Sequence, residues 1–257
     1  MATKKIITYN VNGIRAALTK GWLDWTKTVH PDIILLQETK AESSQLDLAL
    51  FEKEGYHHYW HSAEKKGYSG VALLSKTKPD HVEYGSGNAD IDKEGRIIRA
   101  DYGNTSVMSV YVPSGSSGDE RQDYKMEWLA WFNNYIQVLR KKKTQLIIGG
   151  DINICHKAID IHNPISNAKS SGFLPEERAW MEEFLKTGFI DSFRHFNQEP
   201  HQYTWWTFRA GARAKNMGWR IDYLMATQNL KKALKRCVIL PEAKHSDHCP
   251  VLLEVDF

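Results

Sequence analysis

An aspartate and an asparagine stand one residue apart in Gly149-Gly150-Asp151-Ile152-Asn153, directly after the apolar run Gln145-Leu146-Ile147-Ile148. A carboxylate and an amide facing one small volume suit the activation of a water beside an anionic oxygen, the first orienting the water and the second donating to the anion. Asp and Asn after two glycines also make ordinary Asx turns, so the pair alone decides nothing. Four further fragments carry residues of the same kind: Asn10-Val11-Asn12-Gly13, Gln37-Glu38-Thr39, Arg220-Ile221-Asp222-Tyr223 and Ser246-Asp247-His248. Taken singly, Glu38 reads as a solvated loop carboxylate, and His248 with Asp222 as a buried ion pair. What the five share is their place at the ends of strand-like stretches.

The elements that must bring them together can be read from periodicity. Residues 145–148 form a short buried strand, and Gly149-Gly150 is expected to turn the chain sharply, leaving Asp151 on a loop. Alternation over residues 4–11 predicts a strand, while residues 14–29, with Leu18, Trp22 and Trp25 on one face, read as one helix stopped by Pro31. A continuous apolar strand over 33–36 delivers Glu38. Residues 46–53 read as a helix, and short strands are expected at 56–61, 70–75, 81–84, 96–102 and 105–112. Pro113 closes the last of these and leaves the Tyr111 phenol near its tip. A long helix over 121–142 buries Trp128, Phe132 and Tyr135, and its Lys141-Lys142-Lys143 run complements the helix dipole. Then follow a polar loop at 160–172, a helix opened by Pro175, an extended piece at 189–193 and the aromatic run Tyr203-Thr204-Trp205-Trp206-Thr207-Phe208. A basic linker at 209–215 leads to strands at 219–225, 238–240 and 250–255. Many short strands with interspersed helices make an α/β protein whose sheets are mainly antiparallel.

With 257 residues and no Pro/Gly/Ser-rich linker, the chain reads as one domain over 1–257. Its 42% hydrophobic content and nine Trp indicate a packed core, and no apolar run approaches the roughly 20 residues that cross a bilayer. The opening MATKKIITYN goes straight into strand alternation with neither a signal core nor an Arg-rich leader. The expected location is therefore cytoplasmic and nucleoid-associated, or nuclear in a eukaryote. Cys155, Cys237 and Cys249 are too few for a disulfide framework or a zinc site, so they read as reduced packing residues and any metal is oxygen-bound. A net charge of +3 permits a polyanionic partner without demanding one.

Together, in this order, the five fragments resemble the exonuclease III family of apurinic/apyrimidinic endonucleases, within the DNase I-like endonuclease/exonuclease/phosphatase superfamily. The likeness runs from residue 4 to 255. It is strongest in Leu36-Gln37-Glu38-Thr39-Lys40, Gly67-Tyr68-Ser69-Gly70-Val71, Gly172-Phe173-Leu174-Pro175 with Glu177-Arg178, Asn216-Met217-Gly218-Trp219-Arg220-Ile221-Asp222-Tyr223 and Ser246-Asp247-His248-Cys249-Pro250. The resemblance implies a four-layer α/β sandwich, two mixed, mainly antiparallel sheets face to face with helices outside. It implies a DNA repair enzyme that cuts the phosphodiester 5′ to an abasic site in duplex DNA, with weaker 3′–5′ exonuclease and 3′-end trimming, acting as a monomer.

The same resemblance assigns roles. Glu38 holds Mg²⁺ (Mn²⁺ as an alternative), with Asp247 helping through water and Asn12, an Asp in some relatives, at a second metal position. His248, held by Asp222, donates to a phosphate oxygen, Asp151 orients or deprotonates the attacking water, and Asn153, Asn10 and Tyr111 serve the phosphate. The proton acceptor stays open between Asp151, Tyr111 and a metal-bound hydroxide. Trp205, Trp219 and Ile221 match the residues of a pocket for a base-free sugar, with core packing as the plainer reading of Trp205. Arg15, Tyr68, Asn163, Asn167, Arg209 and Lys215 match DNA-contacting positions. Two departures stand out: Ser114 replaces a frequent Asn, and Ile7 occupies the place of a redox-linked Cys, so no redox-signalling role is expected. A phosphatase of inositol phosphates or sphingolipid would share this chemistry, and a non-catalytic DNA-binding module would share the fold. The costly polar set argues against the second.

Overall fold

Short β-branched segments pair into two sheets in the computed structural model, which describes residues 2–257. Among the described residues the strands are β1 (Thr3–Asn10), β2 (Ile33–Gln37), β3 (His57–His61), β4 (Val71–Ser75), β5 (His81–Tyr84) and β6 (Ile97–Tyr102). They continue with β7 (Thr105–Tyr111), β8 (Gln145–Asp151), β9 (Phe189–Asp191), β10 (Asp222–Thr227), β11 (Leu234–Ile239) and β12 (Val251–Asp256). One sheet runs β11-β12-β1-β2-β4-β3 and the other β5-β6-β7-β8-β10-β9. Each contains one parallel pair, β1 with β2 and β7 with β8, among antiparallel neighbours. The helices are α1 (Ile14–Thr19), α2 (Trp22–Val29), α3 (Ala49–Lys53), α4 (Ala89–Asp92), α5 (Asp119–Arg140), α6 (Pro175–Lys186) and α7 (Ser192–Phe196).

Side chains alternate across each strand, and here both faces are apolar. Ile6, Leu35 and Leu73 of the first sheet meet Ile98, Val107, Ile147 and Leu224 of the second between the layers. On the outer faces, Ile7, Leu36 and Leu74 pack on Ile14, Trp22 and Phe51, while Met108, Ile148 and Met225 pack on Trp128, Phe132 and Phe184. The result is the expected helix–sheet–sheet–helix sandwich.

Local readings differ where a distant contact or a single glycine decides. The single helix expected at 14–29 breaks into α1 and α2 at Gly21, whose φ of 81° is left-handed and ends the regular turn. The extended piece at 189–193 shortens to β9, because the Asp191 carboxylate accepts from Arg194 N at 3.2 Å and starts α7. In the 46–53 stretch only α3 is α-helical, β10 begins at Asp222 rather than Trp219, and β11 begins at Leu234. The short α4, capped by Asn88, was not anticipated. Lys143 lies beyond α5 and pairs with Asp101 at 2.8 Å.

The sharp turn expected at Gly149-Gly150 is absent: β8 runs through both glycines to Asp151. Crowding explains the residue choice. A Cβ on Gly149 would press on the methyls of Leu35 and Leu224, and one on Gly150 would overlap the Val110 carbonyl of β7. The first obstacle is two flexible side-chain tips, the second is backbone. Gly149→Ala should therefore cost about 1–3 kcal/mol, the usual range for overpacking, and Gly150→Ala distinctly more. Urea unfolding of the two variants checks this, and equal losses would contradict it.

Candidate active site

Strand register sets the site. Tyr111 of β7 lies opposite Asp151 of β8, and Asp151 lies opposite Asp222 of β10, so three neighbouring strands present polar residues at one level. On the facing sheet, Asn10 of β1 is level with Gln37 of β2, and Glu38 follows at once. All of them stand at the same end of the sandwich. The loop carrying Asp247 and His248 enters there just before β12.

Asn10 joins the two sheets. Its Nδ2 donates to Glu38 Oε1 at 2.8 Å and to Asp151 Oδ2 at 2.9 Å. Both protons expected to serve a phosphate therefore hold two carboxylates together. Lys40 Nζ sits 2.8 Å from Glu38 Oε2, and against the upward push of burial Lys40 and Asn10 keep the Glu38 carboxyl below its ordinary value. Asp151 is 1% exposed, and its Oδ1 accepts from Asn153 N at 2.9 Å. Burial, with the Asp222 charge behind it, raises the Asp151 carboxyl to about 7. Asn153, in the left-handed region at φ 55°, gives its amide to the Val112 carbonyl at 2.9 Å and lies 3.4 Å from Asp151 Oδ2.

His248 Nδ1 is 2.9 Å from Asp222 Oδ2 and 3.2 Å from Oδ1, while Nε2 points toward Asp151 Oδ2 at 3.9 Å. Burial lowers the imidazole, but Asp222 more than offsets it and carries it up to about 10, so the ring is an imidazolium near neutral pH. Asp247 is engaged differently. Asn12 Nδ2 and Trp205 Nε1 donate to its two oxygens at 3.0 Å each, and Asn12 Oδ1 accepts from Lys40 Nζ at 2.6 Å.

Glu38, Asp151 and His248 each offer a ligand atom, and the three atoms lie within 4.8 Å of one another. A metal ion fits this group through its oxygens, since the protonated ring has no free lone pair and two carboxylates suit a hard cation. Asp247, expected to help hold the metal, stands outside this group, and Asn12, expected at a second metal position, bonds Asp247 and Lys40.

The cleft above these groups holds about 690 Å³ and is lined by Glu38, Tyr111, Asp151, Asn153, Asp247 and His248 together with Trp205, Trp219 and Ile221. Trp205 and Trp219 meet edge to face at 5.9 Å and pack with Ile161, Phe173 and Ile221, so the aromatic wall is also the surface of a small core. Its backbone is stitched to the catalytic loop: Trp205 bridges both Trp219 and His248, and Trp206 N donates to the Asp247 carbonyl at 3.1 Å. Tyr111 is 8% exposed, with the Arg96 guanidinium 4.6 Å from its ring centre. Burial and the nearby Glu38 charge push its phenol well above the ordinary range, which keeps it a donor.

The expected DNA-contacting residues divide. Arg15, Asn163, Arg209 and Lys215 are exposed, and none lines the cleft. The Tyr68 hydroxyl is instead anchored by Arg96 at 3.0 Å, Arg121 at 2.7 Å and Glu94 at 3.3 Å. Asn167 turns its amide into its own loop, donating to the His162 and Asn163 carbonyls. Sequence reasoning missed Arg213, read as part of a basic linker. Its guanidinium donates to the carbonyls of Ser246 at 3.0 Å, Pro241 at 3.0 Å and Ala243 at 2.6 Å, clasping the loop that carries His248. No local signal separates it from its solvated neighbours.

Comparison with known proteins bears on the family and the fold. The model of the Endonuclease/Exonuclease/phosphatase family matches residues 7–248. The exodeoxyribonuclease of Bacillus subtilis is 44% identical over 98% of this chain and 99% of its own length. The solved AP endonuclease of Archaeoglobus fulgidus superposes with a TM-score of 0.89 at 32% identity, covering 99% of this chain and all (100%) of that one. A 3′ phosphatase from Neisseria bound to a product DNA hairpin gives 0.90 at 28% identity, covering 99% and 100%. Fold, site and sequence thus place the chain in the Endonuclease/Exonuclease/phosphatase family.

Proposed function

We propose that the chain is a metal-dependent DNA repair endonuclease that hydrolyses the phosphodiester 5′ to an abasic site in duplex DNA, leaving a 3′ hydroxyl and a 5′ deoxyribose phosphate. Weaker 3′–5′ exonuclease and 3′-end trimming accompany it. The observation that carries this reading is the union, in one cleft, of the Glu38–Asp151–His248 group with the Trp205–Trp219–Ile221 wall. A sugar without a base costs less to turn out of the stack, and an apolar wall beside the phosphate site favours it. A phosphatase of inositol phosphates would use the same charged group but has no use for that wall.

When bound, Mg²⁺ or Mn²⁺ supplies Lewis-acid stabilisation of the charge on the phosphate. Glu38 and Asp151 are the residues that would hold it, with Asp247 acting through water. The remaining work belongs to the chain. Asp222 fixes the His248 ring so that its Nε2–H donates to a non-bridging phosphate oxygen, and the protonated Tyr111 phenol donates beside it. Asp151 orients the attacking water, its carboxyl lifted in the metal-free protein by burial and the Asp222 charge. Arg15, Asn163, Arg209 and Lys215 offer exposed polar groups to the backbone of a longer duplex, which makes binding salt-sensitive and independent of sequence. We take the chain to act as a monomer, and a DNA substrate calls for a location with the nucleoid or, in a eukaryote, the nucleus.

A duplex carrying one tetrahydrofuran site should be nicked at that site with Mg²⁺ and left intact with EDTA, while undamaged duplex and an inositol phosphate are spared. His248→Ala and Asp151→Asn should lower kcat by roughly 100-fold to 1,000-fold with DNA binding little changed. Normal cutting by either variant would remove the assigned roles. The His248 ring also predicts a pH effect on the metal-free protein. Its folded value of about 10 exceeds the ordinary 6.5, so its contribution is complete below about 6.5 and is lost as pH climbs through about 10. Stability should fall between about pH 7 and 10, and Asp222→Asn should flatten that slope; parallel slopes in urea titrations would refute the pairing.

A further inference from the structure

Lys125 of α5 and Glu177 of α6 form an ion pair in which neither side chain is exposed. Neither lines the cleft or touches the charged group. Lys125 Nζ donates to Glu177 Oε1 and, at 2.8 Å, to the Asn153 carbonyl. Glu177 Oε2 accepts from Gly172 N at 2.6 Å and Leu174 N at 2.9 Å. Its Oε1 also accepts from Gln122 Nε2 at 3.2 Å.

The two ends of this pair reach different parts of the site. Asn153 is a non-glycine residue in the left-handed region, a conformation that persists only where its surroundings hold it. Its N–H binds Asp151 Oδ1. On the other side, Gly172 and Leu174 line the cleft, and Gly172 lies so close to Trp219 that a Cβ would come within 2.9 Å of the indole ring. The Gly172 carbonyl accepts from Cys155 N at 2.7 Å, which closes the link back to the Asp151 segment. A fully buried ion pair is a poor source of net stability, since well-packed apolar residues usually serve as well.

We infer that the Lys125–Glu177 pair is a positioning element for the reaction. It sets the spacing between the phosphate-facing Asp151–Asn153 segment and the sugar-facing wall at 172–174, so that a deoxyribose resting on Trp219 brings its 5′ phosphate to Asp151 and His248. The inference rests on the abasic-site reading above.

The test uses the full chain carrying Lys125→Met with Glu177→Gln, which removes both charges at similar volume and leaves no unpaired buried ion. The urea midpoint should fall only modestly, because the Asn153 carbonyl loses its donor, while kcat on the tetrahydrofuran duplex falls roughly 100-fold, the scale of a misplacement of about 1 Å. KM should remain within about threefold, and Lys125→Arg, which keeps charge and donors, should retain most of kcat. Amide exchange should quicken at residues 152–155 and 170–175 and not in β8. A double variant with kcat within about threefold of the parent, one that unfolds far more easily, or one with unchanged exchange in those segments would each overturn the proposal. Exchange needs no substrate, so a parent that failed to cut abasic duplex would sink the functional reading and leave exchange to decide this one.

Discussion

Two carboxylates face each other across the gap between the sheets, and the amide of Asn10 is what makes that arrangement tolerable. Glu38 and Asp151 repel each other wherever both are ionised, and taking either out of water is costly. Asn10 gives one proton to each, and Lys40 and His248 add positive charge at the flanks. Below them a second polar layer crosses the sandwich: Thr8 donates to Gln37, Gln37 donates to Ser109, and Ser109 donates to the Leu36 carbonyl. The reactive end of the molecule is therefore pinned by hydrogen bonds, whereas the layer between the sheets is mainly Ile, Leu and Val.

That division bears on how the charged groups do chemistry. Two carboxylates are held apart in protonation behaviour: burial lifts Asp151, whereas Lys40 and Asn10 keep Glu38 low against it. One low carboxylate, one raised carboxylate and one imidazolium fixed by its Asp222 partner emerge from side chains of ordinary type. The aromatic wall shares backbone hydrogen bonds with the His248 loop, so the wall and the charged group rest on one piece of scaffold.

Much of this was legible before any coordinates. The strand ends could be placed because alternation marks where a strand stops, and in a parallel or antiparallel ladder residues at strand ends come level with one another. Asp151 and Glu38 follow that rule, whereas Asp222 falls inside the strand read over 219–225 and enters through the family resemblance. The break at Gly21 and the shortened β9 were not legible, since they depend on one dihedral and one cap. Gly149 and Gly150 were misread because their cause lies in Val110, Leu35 and Leu224, which are distant in the chain. The tasks of Asn10, Asn12 and Asn167 were also out of reach: an amide declares its type but not its partner. Lys125 is an intermediate case. It precedes Trp128, Leu129 and Phe132 by three, four and seven positions, so it sits on the apolar stripe of α5 where a charge is out of place, and only α6 reveals why.

The pairing of β1 with β12 carries a consequence for folding. Asn10 ends β1 and His248 stands three residues before β12, so the two sides of the site come together only when strands about 240 residues apart have met. The constellation is thus tied to the most sequence-distant pairing of the fold, the kind that loop-closure entropy makes slow to form.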